Sequence, residues 1–163
     1  MKSYDALSAS FRAEPPFERH LDAVRLLIDA AASLGAACPD GEVPLITAVR
    51  SGHASVVELL LASGATQNLN DCLGYAYFTP LYLASSDGSA EIVRLLISSR
   101  ARLTKTSART PLSTAARRGH QEVVSELLMA GLRDDSALAA ARAAGHRLVL
   151  CSLKARQLCI TDG

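Results

Sequence analysis

Apolar residues run along this chain in paired short bursts, each pair hinged on a glycine. Four segments show it: VPLITAVRSGHASVVELLLASGA (43–65), TPLYLASSDGSAEIVRLLISSRA (79–101), TPLSTAARRGHQEVVSELLMAGL (110–132) and SALAAARAAGHRLVLCSLKA (136–155). The shared glycines are Gly52, Gly88, Gly119 and Gly145, and the interval between them shortens at each step. In the second burst Val56, Leu59 and Leu60 fall on one helical stripe, as do Ile92/Leu95/Leu96 and Val123/Leu127/Leu128. Each segment therefore predicts a short helix, a glycine turn and a second helix. Thr79-Pro80 and Thr110-Pro111 each offer a capping hydroxyl followed by proline at the first helical position, where no N–H is missed. Gly64 and Gly131 end two of the second helices.

The histidines obey the same period. Three stand in Gly52-His53, Gly119-His120 and Gly145-His146. The fourth, His20, precedes His53 by the same interval that separates Leu26-Leu27 from Leu59-Leu60. Such regular spacing reads as one helix-to-helix turn residue used repeatedly, and not as a convergent metal or catalytic set. With these offsets the chain resembles the ankyrin repeat, whose pattern begins Thr-Pro-Leu-His-x-Ala and continues through Gly-His to a Val-x-x-Leu-Leu helix and Gly-Ala. The resemblance covers about residues 17–155. It implies an all-α ankyrin-repeat solenoid of four to five helix pairs, with short β-hairpin fingers and degenerate end caps. It divides the single domain 1–163 into a degenerate N-terminal unit (1–36), repeats at 40–70, 76–105 and 107–132, and a truncated capping unit at 133–163.

The departures from the pattern matter. Ile46, Tyr82 and Ser113 replace the histidine after Pro-Leu, so its usual hydrogen bond to the threonine is expected to be absent, and Val43 replaces one threonine. Near the start, Leu26 and Leu27 mark a second repeat helix, but Pro15-Pro16 cannot continue a helix interior before it. A capping helix over about residues 4–12, a proline turn and a helix over about 17–33 are expected. At the other end, the short interval from Gly119 to Gly145 leaves no room for a full hairpin before Ser136. The last unit should be an abbreviated helical cap. Its second helix places Leu148 and Cys151 where the first clear copy has Ser55 and Glu58. That apolar strip is open to three coverings: the tail folding back, self-association through the C-terminal helix, or a partner.

Composition narrows the class. Of 163 residues, 49% are hydrophobic and 20% charged, enough to bury a core of Leu, Val, Ile and Ala, with no Trp to help. No run approaches the roughly 18 apolar residues of a membrane span, and the segment 1–20 lacks the apolar stretch of a secretory signal. Cys38, Cys72, Cys151 and Cys159 show no tight paired spacing, which favours reduced thiols in the cytoplasm or nucleus.

Two features point to partner binding. Tyr75, Tyr77 and Phe78 put three of the seven aromatics into one finger, where rigid rings make good anchors, with Tyr82 just beyond. Charge is also segregated: residues 94–118 carry seven basic side chains and no acid, residues 1–93 net −6, and residues 119–163 net zero, summing to +1. Arg102, Lys105, Arg109, Arg117 and Arg118 should converge on the concave first-helix and finger surface, a place for an acidic protein segment. The alternatives are nucleic-acid or acidic-ligand binding through residues 94–118, or a regulatory inhibitor or adaptor subunit of a larger complex. Nucleic acid is disfavoured by the acidic N-terminal half.

No catalytic, cofactor or metal site is expected. His146 and Cys151 could pair as imidazole and thiol, but no residue is evidently placed to orient the ring. Helix stacking at roughly 10 Å keeps successive repeat histidines from one metal centre. The Leu-x-x-x-Cys box that recruits ubiquitin ligases in some relatives fails, because Gln157 stands where the cysteine after Leu153 should be. Asn68 occupies a place similar to the finger asparagine hydroxylated in many members, although Thr66-Gln67 replaces the usual Asp-Val before it.

Overall fold

The computed structural model describes residues 25, 43–65, 69–70, 79–103 and 110–158. The chain forms two compact units, Met1–Pro80 and Leu81–Gly163. Every described element is helical, and no strand occurs among the described residues. The connections expected to be hairpin fingers, and the expected N-terminal helices apart from the exposed, helical Arg25, lie outside them.

The first unit contains α1 (Pro44–Arg50) and α2 (Ala54–Ala62). Pro44 sits in the first turn after an extended Val43, which lacks a capping side chain; Thr47 donates instead to the Val43 carbonyl at 3.4 Å. Six consecutive α1 residues, Pro44 to Val49, are buried. They leave α2 to contribute Val56, Val57 and Leu60, which complete a buried apolar seam between the two helices.

The second unit runs α3 (Pro80–Asp87, whose first residue closes the preceding unit), α4 (Ala90–Ser98), α5 (Pro111–Arg118), α6 (Gln121–Met129), α7 (Asp135–Ala144) and α8 (Arg147–Leu158). Like packs on like: α5 lies against α7, while α4, α6 and α8 form a second row. Leu112, Val123, Val124 and Leu127 are fully buried between these rows. Each such side chain contributes roughly 1.5–3 kcal/mol on leaving water. The buried stripe differs slightly from the one periodicity gives. It is Val56/Val57/Leu60, Ile92/Val93/Leu96 and Val123/Val124/Leu127, with Leu59, Leu95 and Leu128 only half-buried on its rim. A helix pressed closely on its own partner buries an i, i+1, i+4 wedge, which turns the stripe by one position.

At position 113 a hydroxyl stands where the family pattern has histidine, and the expected Thr110 cap is present. The Thr110 hydroxyl accepts the Ser113 N–H at 3.0 Å, and the Ser113 hydroxyl oxygen lies 3.1 Å from the Thr110 N–H, closing a capping box. Serine thus supplies at short range what the longer imidazole supplies in the family pattern. The same Thr110 hydroxyl donates to the Asp134 carboxylate. Asp134 in turn caps α7, accepting the Ser136 N–H at 2.9 Å. Between Gly131 and α7 there are only Leu132, Arg133 and Asp134, so the connection into the last helix pair is short while its helices are full-length.

Candidate protein-binding surface

The basic residues of 94–118 prove unequal once placed. On α4, Arg94 donates from Nε and Nη2 to Glu126 Oε1 on α6, at 3.1 and 2.9 Å. That hydrogen bond and the negative charge of Glu126 hold the Arg94 pKa above its ordinary value. Its charge is already matched inside the fold. Arg118, at the end of α5, donates to the Ser86 carbonyl at 2.8 Å and stands 3.9 Å from Asp87. A cation there also meets the negative end of α3. Arg118 is therefore a strap between consecutive first helices, although half of its side chain remains exposed.

Arg117 is the contrasting case. Its guanidinium is exposed and makes no ion pair among the described residues. Arg100 and Arg102 are exposed on either side of Ala101, which is buried. Lys105 and Arg109 lie outside the described residues, as do Tyr75, Tyr77, Phe78 and Asn68. Tyr82, on α3, is 7% exposed and so presents little of its ring to a partner. The structure therefore displays Arg100, Arg102 and Arg117 as outward basic groups, and brings Arg118 but not Arg94 to the α3–α5 edge.

Beside this edge the histidines stitch the helix pairs of the stack. His120 Nε2 lies 2.9 Å from the Ser86 carbonyl oxygen, and His146 Nε2 lies 3.0 Å from that of Arg117. A carbonyl can only accept, so each ring carries its proton on Nε2. Each ring lies across a glycine of the preceding pair. A Cβ on Gly88 would come 2.6 Å from His120, and one on Gly119 would come 2.7 Å from His146. Both glycines also hold positive φ, 82° and 81°. Imidazole nitrogens engaged this way serve structure, and no group of three or more His, Cys, Asp or Glu able to hold a metal occurs among the described residues.

Two further surfaces belong to the last unit. Leu148 is 71% exposed and Cys151 is free and exposed, while Val149 and Leu153 are buried on the other side of α8. A groove of about 300 Å³ opens where the shortened connection leaves no finger, floored by Leu112, Leu128, Leu132, Leu138 and Leu153 and edged by Met129. The groove had no motif to announce it. Its signal was the short interval between Gly119 and Gly145. No described helix is long and apolar enough to cross a membrane.

Residues 17–71 and 67–137 match the family described as ankyrin repeats (3 copies). The chain is 36% identical over 107 residues to neurogenic locus notch homolog protein 4 of Homo sapiens, covering 59% of this chain and 5% of that protein. It is 34% identical over 99 residues to transient receptor potential cation channel subfamily A member 1 of Drosophila melanogaster, covering 56% of this chain and 8% of that protein. The matched segment is thus a small part of either relative.

Proposed function

The chain belongs to the ankyrin repeat family, and on that footing we propose that it is a non-enzymatic protein–protein interaction module. It takes a partner with an acidic segment on the first-helix and finger face around residues 94–118. The observation that carries this reading is the division of labour among the arginines: Arg94 is neutralised by Glu126, whereas the Arg117 guanidinium stands exposed without an ion pair among the described residues. An outward arginine beside a carbonyl-rich helix end is poised for bidentate contact with a carboxylate. Surface charge of one sign also speeds encounter with an opposite partner. The family's members generally act by holding other proteins, and the roles of the two relatives named above are not carried over to so short a shared segment.

A reduced thiol suits work in the cytoplasm or nucleus, in keeping with the exposed free Cys151. The test is anisotropy of a fluorescein-labelled glutamate-rich peptide titrated with the full chain. Binding that falls on Arg102/Arg109/Arg117→Glu and resists competition by arbitrary oligonucleotides supports the reading. Efficient displacement by any oligonucleotide would transfer it to nucleic acid. Arg118 is left intact in this variant because it straps α5 to α3.

A further inference from the structure

Arg100 has a backbone that its residue type resists. Its φ is 64°, the one positive value outside glycine among the described residues. The neighbouring hydrogen bonds explain why the fold demands it. Arg100 N–H donates to the Ile97 carbonyl at 2.9 Å and Ala101 N–H to Leu96 at 2.9 Å, a Schellman closure of α4. The same closure ends α6, where Gly131 donates to Leu128 at 3.1 Å and Leu132 to Leu127 at 3.0 Å. At that register the other two helices carry Gly64, φ 94°, and Gly131, φ 86°. The left-handed turn is therefore set by the repeat, and arginine occupies it against a steric penalty that glycine escapes.

Nothing among the described residues rewards an arginine here. The Arg100 side chain is exposed and makes no hydrogen bond or ion pair among the described residues. A strained residue that stabilises nothing is the kind found where a binding surface needs its side chain. Its neighbour across buried Ala101 is a second exposed arginine, Arg102. Asparagine, which tolerates this backbone better, would have brought no charge.

We infer that Arg100 is a binding residue retained at the expense of stability, and that its guanidinium takes a carboxylate of the acidic partner segment. This rests on the function proposed above and adds to it a residue whose contact is separable from Arg117. Because the strain and the contact belong to one side chain, a single substitution should move stability and affinity in opposite directions.

The experiment uses the full chain, thermal unfolding and the glutamate-rich fluorescein peptide, with Arg100→Gly, Arg100→Lys and a control, Arg142→Ala, on the exposed face of α7. Arg100→Gly should raise Tm by roughly 2–4 °C, as relief of one left-handed residue does in a chain of this size. It should also weaken peptide binding about tenfold, the loss of one charge-assisted contact. Arg100→Lys should leave Tm unraised and retain part of the affinity, since it keeps the charge without the planar fork. Arg142→Ala should stay within about twofold of the wild type, in line with an unengaged surface charge. A Tm that does not rise in Arg100→Gly overturns the inference, because the strain would be absent. Unchanged affinity in Arg100→Gly, with binding still lost in Arg102/Arg109/Arg117→Glu, overturns it while leaving the proposed function standing. Failure of the wild-type chain to bind the peptide overturns both.

Discussion

The ring of His146 reaches back across the preceding helix pair to the Arg117 carbonyl, at 3.0 Å from Nε2, and in doing so covers Gly119. His120 repeats the contact one unit earlier on Ser86. Histidine and glycine are thus one device spread over two helix pairs. Removing the ring by His146→Ala should cost about 1–2 kcal/mol, one hydrogen bond to a carbonyl plus lost packing. Gly119→Ala should cost more, because a Cβ at 2.7 Å from the ring adds a clash to an unfavourable φ. The double variant should be less destabilised than the sum, since the clash vanishes with the ring. Urea unfolding of the four proteins measures this. Strict additivity would mean that ring and glycine do not touch.

Thr114 carries the next prediction. It is 1% exposed on α5, and its hydroxyl has no hydrogen-bond partner in the described structure. The equivalent Thr47 bonds the Val43 carbonyl one turn back, whereas at Thr114 the Thr110 carbonyl is taken by the Ser113 hydroxyl at 3.1 Å. Thr114→Val keeps the shape and drops the orphaned group, and should stabilise by about 1 kcal/mol. Calorimetry showing a lower Tm would reveal a partner for that hydroxyl.

Leu148 tests the end of the stack. Its register holds Ser55, Glu91 and Glu122 in the other pairs, all exposed. Leu148→Glu should leave unfolding within about 0.5 kcal/mol, as exposed surface changes generally do. It should raise solubility by removing one of the two large exposed apolar side chains among the described residues, the other being Met129. A loss of several times that size would show that the chain itself covers Leu148. A change in sedimentation coefficient would show that a second copy does.

Glu126 neutralises Arg94 across the second row of helices, at 2.9 Å, and so lowers the positive charge of the unit as a whole. Glu126→Gln should leave the Arg94 charge unmatched, tighten glutamate-rich peptide binding and steepen its salt dependence. Tm should fall by a small amount, since Arg94 is 64% exposed although Glu126 is only 19% exposed. Equal affinity in both proteins would place Arg94 outside the binding face.

Much of this was legible in the sequence. Glycine spacing and the Thr-Pro caps marked the helix pairs, and the shortened final connection was readable from the close approach of Gly145 to Gly119 along the chain. The histidines were recognisable as turn residues, but their acceptors are backbone carbonyls of the preceding helix pair, Ser86 and Arg117, which no local pattern encodes. Distance along the chain also hid the Arg94–Glu126 pair, so a uniform basic stretch turned out to have a neutralised member. The Thr110 cap was legible, but the part played by Ser113 was not, because the family pattern places a longer imidazole there and a hydroxyl closes the shorter ring. The strain at Arg100 did have a signal, its alignment with Gly64 and Gly131, visible once the helix ends are superposed on one register.

The central claim is that this repeat protein works by presenting basic side chains to a protein partner. Affinity capture from native lysate, quantified by mass spectrometry, tests it most directly when the full chain is compared with Arg102/Arg109/Arg117→Glu at equal helicity by circular dichroism. The account predicts one or a few proteins with acidic segments retained by the wild type and lost from the variant. Identical captured sets, with both proteins folded, would contradict it.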